Sequence, residues 1–240
     1  MPEPTYSPAR RAAAWGVHAY TALGLPINLV GAWALVHQDA RMFFLTQVAA
    51  IFVDGTDGMM ARAVEVKKVV PEFSGRRLDD IIDFITFSFM PAIALFQLEM
   101  IPESWAWFGA IPLLASGYGF CQERAKTDQS FVGFPSYWNI VLVYLYVLQA
   151  PPEVVVGVLS VLAVLVFVPI HYVYPTRTRM LRKTTMSLGV IWSAMVAFVC
   201  WNVESAYAVP LTWASLFYVV YYVVVSGVNH VQMTRSAEPT

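Results

Sequence analysis

Four aspartates stand between two strongly apolar runs of the sequence, and this arrangement restricts how the chain can fold. Asp54 and Asp57 are three residues apart, and Asp79 and Asp83 are four apart. On a helix, residues with these spacings share one face, with Cβ atoms about 5–6 Å apart. Because charge is costly in apolar surroundings, we expect the two pairs to face each other across a helical hairpin. Clustered carboxylates suit a hard divalent cation, and two such ions suit phosphoryl transfer.

An alternative is that these acids only form ion pairs with nearby basic residues. The candidate partners are Arg62, Lys67, Lys68, Arg76 and Arg77. Two glycines beside the first pair of acids favour a ligand site instead. Gly55 and Gly58 each weaken a helix by about 1 kcal/mol relative to Ala, and a missing side chain lets a ligand approach the backbone.

The composition is that of a polytopic membrane protein. Of the 240 residues, 58% are hydrophobic and 13% are charged, whereas soluble domains are about 45–50% apolar and about 25% charged. We expect an all-α fold of about eight transmembrane helices, forming a single domain over residues 1–240. Pro8–Tyr20, with Arg10 and Arg11 near Trp15, is expected to be an interfacial helix; alternatively, it begins the first span. The expected spans are 21–37, 42–66, 75–98, 105–122, 137–148, 154–174, 186–201 and 211–230.

The basic residues predict the orientation of these spans. With eight spans, fourteen of the fifteen Lys and Arg residues fall on one face, and Arg41 falls on the other. Since cytoplasmic loops carry an excess of Lys and Arg, both termini and the four aspartates are expected on the cytoplasmic side. The net charge of −1 gives no reason to expect a nucleic-acid partner.

The stretch around the aspartates resembles the signature of the CDP-alcohol phosphotransferases. The matching residues are Asp54, Asp57, Gly58, Ala61, Arg62, Gly75, Asp79 and Asp83. The common pattern has eight residues between the Arg and the second Gly, whereas twelve, Ala63 to Ser74, intervene here. The longer spacing, and a second stretch at Ala125 to Asn139, resemble the bacterial phosphatidylcholine synthase branch of that family, which joins CDP-diacylglycerol to choline.

The resemblance implies an enzyme of the bacterial inner membrane that transfers a phosphatidyl group to choline and releases CMP. It implies Mn²⁺ or Mg²⁺ as the cofactor, with two ions, and it leaves a homodimer open. By resemblance Asp54, Asp57, Asp79 and Asp83 are metal ligands, and Asp83 is the base for the alcohol, a further ligand or both. The residues implied to bind CDP are Asp54, Gly58, Ala61, Arg62 and Gly75. Arg62 either holds phosphate or braces a carboxylate.

Choline carries a quaternary ammonium, which is recognised by aromatic faces and nearby negative charge. Tyr137 and Trp138 are the candidate aromatic residues, and Glu123 is a candidate source of charge. The alternative for each aromatic residue is an interfacial belt. Arg124, Lys126 and Arg177 are candidates for binding lipid phosphate; alternatively, they set topology and attract anionic headgroups.

Three other functions are considered. The first is a sibling enzyme that uses serine, inositol or glycerol phosphate as the acceptor. The second is an ion-coupled transporter, which the clustering of the acids at one membrane face disfavours, since no acidic relay continues along the other spans. The third is a non-catalytic lipid-binding protein, if the longer spacing has disabled the site.

Overall fold

The computed structural model describes residues 6–122, 130–175, 178 and 180–237. Within these ranges the secondary structure consists of helices and one pair of three-residue strands, joined by turns and short irregular segments. The α-helices are α1 Pro8–Ala22, α2 Gly24–Val36, α3 Ala40–Val64, α4 Val66–Val69, α5 Gly75–Phe84, α6 Met90–Gln97, α7 Ala110–Cys121, α8 Trp138–Val147, α9 Pro152–Phe167, α10 Arg182–Trp201 and α11 Ala208–Ala237. A 3₁₀ helix, Glu103–Gly109, leads into α7, and the strands are β1 Ser130–Val132 and β2 His171–Val173.

Three helical stretches of the described chain are long and apolar enough to cross a membrane. They are Pro8–Val36, Arg182–Trp201 and Ala208–Thr234. α8 and α9 are also apolar but shorter. The fold is therefore that of a helical membrane protein, and the number of eight spans stays a prediction. The interfacial position of α1 also stays a prediction, because α1 leads through Leu23 into α2 within the first of these stretches.

The two helices that carry the aspartates begin close to the expected positions, and α3 also ends close to its expected end, whereas α5 ends at Phe84. α3 begins after Asp39, whose carboxylate accepts a hydrogen bond of 2.8 Å from the Met42 N–H. It ends at Glu65, which has a left-handed conformation with φ of 55°. α5 begins after Ser74, whose hydroxyl accepts a bond of 3.3 Å from the Arg77 N–H. These side-chain caps satisfy N–H groups that the first turn of a helix leaves without partners.

The connection between these helices, and the helix that follows, differ from expectation. The stretch between the expected spans 42–66 and 75–98 contains the helical turn α4. The expected span 75–98 contains a π-helical turn, Ile85–Phe89, just before Pro91. A proline has no N–H to donate, and its ring crowds the carbonyl four residues earlier. That carbonyl belongs to Phe87, in the middle of the widened turn.

The strand pair corrects two further expectations. The sixth helix was expected to continue to residue 174, but α9 ends at Phe167. Pro169 disfavours helical backbone at the preceding residue, and Val168 is extended, with φ of −86° and ψ of 122°. The chain then forms β2, antiparallel to β1 with Phe131 opposite Tyr172. β1 lies between the expected spans 105–122 and 137–148.

The chain divides into two compact units, one ending at Thr86 and the other beginning at Phe87. In the first unit α2 packs on α3, and α1 contacts α3, α4 and α5. A small buried cluster joins α1 to the connection after α3, and it consists of Ala14, Val17, Val66, Val69 and Val70. In the second unit α7 packs on α9, α10 packs on α11, and β2 lies along α11.

Candidate active site

Carboxylates from α3 and α5 converge in the first unit, as the sequence predicts. Asp54, Asp57 and Asp79 each offer an oxygen, and these oxygens lie within 4.8 Å of one another. Asp83, one turn after Asp79, lines the same small cavity. Asp57 and Asp83 are buried, each with 7% of its surface exposed, and Asp54 and Asp79 are half-buried. The cavity therefore gathers four carboxyl groups from two helices.

The chemistry of this donor set fits a divalent cation. Magnesium prefers oxygen ligands at about 2.0–2.1 Å, so two oxygens on one ion lie at most about 4.2 Å apart. The span of 4.8 Å is slightly larger, and small rotations of the side chains would bring all three oxygens to one ion. The rest of the cavity is lined by the apolar residues Ala50, Val53 and Ile82 and by Thr21 and Thr86. A bound metal ion would offset the mutual repulsion of these clustered carboxylates.

α1 contributes hydrogen bonds to the residues around this cavity. The Thr21 hydroxyl donates a bond of 2.7 Å to Oδ2 of Asp57. One residue earlier, the Tyr20 and Thr56 hydroxyls lie 2.7 Å apart. Thr56 directs its own proton to the carbonyls of Phe52 and Val53, so Tyr20 is the donor. No local sequence pattern points to Thr21 or Tyr20, because both lie more than thirty residues before the acids that they neighbour in the fold.

The first motif glycine lies beneath the motif arginine. A Cβ added at Gly58 would lie 3.3 Å from Nη1 of Arg62, so the guanidinium folds back over the glycine. Arg62 is exposed, and within the described ranges its guanidinium forms no ion pair. Of the two expected roles of Arg62, this arrangement favours phosphate binding over bracing a carboxylate. Ala61 packs against the buried cluster that α1 forms with the connection after α3.

The second motif glycine lies against a histidine that the sequence analysis left without a role. A Cβ added at Gly75 would lie 2.7 Å from Cε1 of His18. The His18 ring is 5% exposed, and its Nε2 has no hydrogen-bond partner among the described residues. It packs against Phe73, with ring centroids 4.5 Å apart, and against Trp15, at 5.6 Å. In this structure the space beside Gly75 is therefore filled by the imidazole.

The described ion pairs of this region involve three other acids. Arg10 and Lys68 both pair with Glu65, and Arg11 pairs with Glu72. Asp80 lies 3.8 Å from the Arg76 guanidinium, one turn away on α5. A backbone hydrogen bond, followed by the hydrogen bond from Arg11, lowers the pKa of Glu72. Ion pairs thus attach the N-terminal end of α1 to the connection between α3 and α5.

The candidate choline residues lie in the second unit and differ from each other in exposure. Trp138 is 1% exposed, and its indole N–H donates a 2.7 Å bond to Ser116, so its ring belongs to the core. Tyr137 is half-buried, with its ring perpendicular to that of Phe131 at a centroid distance of 6.4 Å. The backbone before them is fixed at Gly133, where φ is 83° and a Cβ would lie 2.3 Å from the Val166 carbonyl oxygen.

Four of the candidate residues lie outside the described part of the chain. They are Glu123, Arg124, Lys126 and Arg177. Their roles in binding choline and lipid phosphate stay predictions.

Comparisons with known proteins agree with the motif. A sequence model of the CDP-alcohol phosphatidyltransferase family matches residues 18–170. A phosphatidylcholine synthase of Pseudomonas aeruginosa is 38% identical over 188 residues, which cover 78% of this chain and 79% of that protein. Phosphatidylcholine synthases of Rhizobium johnstonii and Rhizobium meliloti are each 37% identical to this chain. The first match covers 77% of this chain and 77% of that protein, and the second covers 76% of each. The chain therefore belongs to the CDP-alcohol phosphatidyltransferase family.

Proposed function

We propose that this protein transfers the phosphatidyl group of CDP-diacylglycerol to choline, giving phosphatidylcholine and CMP. One observation carries the proposal: oxygens of Asp54, Asp57 and Asp79 converge within 4.8 Å on two helices that bear the family motif. The relatives named phosphatidylcholine synthase, which align with more than three quarters of the chain, point to choline as the acceptor.

The reaction is an in-line displacement at phosphorus. The choline hydroxyl oxygen bonds to the phosphorus that carries the diacylglycerol, the bond from that phosphorus to the oxygen bridging to CMP breaks, and the hydroxyl proton is taken up by a base. Asp83 is the proposed base, since it is buried in the same cavity as the other carboxylates. The proposed cofactor is a pair of divalent cations, either Mn²⁺ or Mg²⁺. When bound, they would neutralise the charge of the pyrophosphate and hold the attacking and leaving oxygens in line.

The remaining motif residues are assigned to the nucleotide. Arg62, exposed at the end of α3 and folded over Gly58, is positioned to extend toward a phosphate group. Asp54, Gly58, Ala61 and Gly75 are proposed to border CDP, as the family motif implies. Arg124, Lys126 and Arg177 remain candidates for the lipid phosphate.

For the choline cation we propose a contribution from the face of Tyr137. Phe131 stands perpendicular to it and stacks on Tyr174 with ring centroids 4.4 Å apart, so three aromatic rings lie close together. The buried Trp138 would act indirectly by fixing the start of α8, and Glu123 is the candidate for negative charge. Replacing Tyr137 with Ala should raise the KM for choline more than that for CDP-diacylglycerol, and Phe should be milder. An unchanged choline KM in Tyr137→Ala would rule out this contact.

We also propose the setting in which the enzyme works. The family match spans the boundary between the two compact units at Thr86, which supports a single catalytic domain over residues 1–240. The proposed location is the bacterial inner membrane, with eight spans and both termini in the cytoplasm, where choline and metal ions are available. All four carboxylates come from one chain, so the proposal does not require a homodimer.

The decisive experiment measures both products of the reaction. The protein is purified in detergent and incubated with CDP-diacylglycerol, Mn²⁺ and choline, serine, inositol or glycerol phosphate in parallel. CMP release is measured together with the lipid formed. We expect equal amounts of CMP and phosphatidylcholine with choline, and no reaction in excess EDTA.

Other outcomes would replace the proposal. A lipid product with serine, inositol or glycerol phosphate, and none with choline, would identify a sibling enzyme. Ion flux in liposomes without CMP release from any acceptor would indicate a transporter. Binding of CDP-diacylglycerol without turnover would indicate a non-catalytic lipid-binding protein.

A further inference from the structure

The metal-binding helices make a hydrogen bond with a residue outside the family motif. Thr21 lies near the end of α1, is 8% exposed, and donates a bond of 2.7 Å to Oδ2 of Asp57. We infer that Thr21 is a positioning residue that orients Asp57 for metal binding. This inference rests on the proposed function, because it assigns a role at the same carboxylate site.

The geometry of the bond determines how Asp57 can act. The Thr21 hydroxyl fixes Oδ2, and Oδ1 is left free of this bond for a metal ion. A hydroxyl donor also stabilises the charged form of a carboxylate and restricts its rotation. Outer-shell donors of this kind orient ligands, and their loss typically lowers metal affinity by about 10–100-fold. The bond is buried, so water cannot readily replace it.

α1 is also attached at residues that precede Thr21, and these contacts keep the Thr21 hydroxyl in place. Next to it, Tyr20 donates to Thr56, the neighbour of Asp57 on α3. Toward the other end of α1, Ala14 and Val17 are buried in the cluster formed with the connection after α3. A threonine on a loosely attached helix could not fix a carboxylate. Here α1 is attached to α3, which carries Asp54 and Asp57, and to the connection that follows α3.

Three variants test this role. Thr21→Val keeps the shape of the side chain but removes the hydroxyl. Thr21→Ser keeps the hydroxyl and removes the methyl group. Thr212→Val is the matched control, because Thr212 is also buried, at 2% exposure, and donates a bond of 2.7 Å, but to the Ala208 carbonyl within its own helix.

The first measurement is Mn²⁺ binding in detergent without substrate, followed by electron paramagnetic resonance of the free ion. We expect Thr21→Val to bind Mn²⁺ about 10–100-fold more weakly, whereas Thr21→Ser and Thr212→Val bind like the wild type. The second measurement is turnover as a function of Mn²⁺ concentration. The half-saturating concentration should rise in Thr21→Val, while the KM for choline stays unchanged. A melting curve for each variant shows that the protein is folded.

Two results would overturn the inference. One is unchanged Mn²⁺ affinity in folded Thr21→Val, while the wild type makes phosphatidylcholine; the proposed function would then stand and the role of Thr21 would not. The other is equally weak binding by Thr21→Ser, which would assign the effect to the methyl group. Failure of the wild type to bind Mn²⁺ and to release CMP would overturn the proposed function itself, and the inference with it.

Discussion

The acidic residues of α5 differ in their surroundings, and this difference predicts which aspartates the enzyme needs. Asp83 is buried in the cavity, whereas Asp80 is partly exposed and pairs with Arg76. Replacing Asp54, Asp57, Asp79 or Asp83 with Asn removes charge but keeps shape. Each change should lower turnover by about a hundredfold or more, the scale of losing one preorganised electrostatic group. The measurement is the rate of CMP release with CDP-diacylglycerol and choline.

Asp80→Asn is the internal control for this series. Its exposed ion pair contributes little, so its activity should stay close to that of the wild type. Full activity in any of the four cavity variants would exclude that carboxylate from the site. Full activity of the wild type in EDTA would exclude metal ions from the reaction.

A second residue-level prediction concerns the contact between Gly75 and His18. An alanine Cβ at position 75 would lie 2.7 Å from Cε1 of His18, and the imidazole is confined by Phe73 and Trp15. Overpacking of this kind costs about 1–3 kcal/mol, so Gly75→Ala should lower the melting temperature. The double variant Gly75→Ala/His18→Ala should lose less stability than the two single variants lose together, because removal of the imidazole relieves the clash.

Gly16→Ala is the matched control, since a Cβ there meets nothing within 4 Å. It should be neutral or stabilise α1, because alanine favours helix over glycine by up to about 1 kcal/mol. If Gly75→Ala weakens binding of CDP-diacylglycerol even without His18, Gly75 makes room for the nucleotide. If it does so only with His18 present, the glycine mainly accommodates the imidazole.

At this scale the sequence was informative where spacing alone determines position. Two aspartates three apart and two aspartates four apart must share helix faces, and three of them meet as predicted. The bond between Thr21 and Asp57 joins residues 36 positions apart, and no local pattern encodes it. The contact of His18 with Gly75 is of the same kind. Trp138 was misleading, because its aromatic character suits both a cation pocket and a core, and packing placed it in the core.

At the scale of elements, the attachment of α1 to the connection between α3 and α5 should depend on pH. A backbone hydrogen bond and then the hydrogen bond from Arg11 lower the pKa of Glu72 in the folded protein, so the pair with Arg11 contributes part of the stability present above the ordinary glutamate pKa. That contribution is lost as the pH falls through the lowered value. Arg11→Ala should therefore lower the melting temperature slightly at pH 7, by roughly 1–2 °C. The difference from the wild type should disappear in acid.

Lys183→Ala, at the exposed start of α10, is the control for loss of one positive charge. Its melting temperature should match that of the wild type at both pH values. High salt should also reduce the effect of Arg11→Ala, because exposed ion pairs are screened. A difference that persists unchanged in acid and in high salt would mean that Arg11 acts through packing of its aliphatic stem.

Elements with caps or long apolar runs could be predicted, and short or distorted ones could not. α3, α10 and α11 lie near their expected positions because apolar runs and polar ends delimit them. Strands of three residues, such as β1 and β2, give too little alternation to detect, and they exist because each pairs with the other. The π-helical turn before Pro91 depends on how the helix adapts to the proline. The sequence shows where the helix must adapt, but it does not show which backbone geometry results.

At the scale of the whole molecule, the distribution of charge predicts the orientation in the membrane. In a variant with Cys121 and Cys200 replaced, single cysteines can be placed at the exposed positions Gln38, Glu103 and Lys67. A membrane-impermeant thiol reagent added to intact cells should label Gln38→Cys and Glu103→Cys. Lys67→Cys should be labelled only after permeabilisation, because Lys and Arg favour the cytoplasmic side.

Each labelling site can contradict the predicted orientation. Labelling of Lys67→Cys from outside would place the carboxylates on the periplasmic side, away from cytoplasmic substrates. Labelling of only one of the two outer positions would change the number of spans between them. Labelling of all three after permeabilisation shows that each position is reactive.

The cluster that joins α1 to the connection after α3 has a consequence for how such sequences can diverge. The connection is four residues longer than the common family spacing, and α4 is itself four residues long. A chain lacking this turn would retain every motif residue but would lose Val66 and Val69, against which Ala14 and Val17 pack. Two segments about fifty residues apart should therefore vary together among related chains, with larger side chains in one matched by smaller ones in the other.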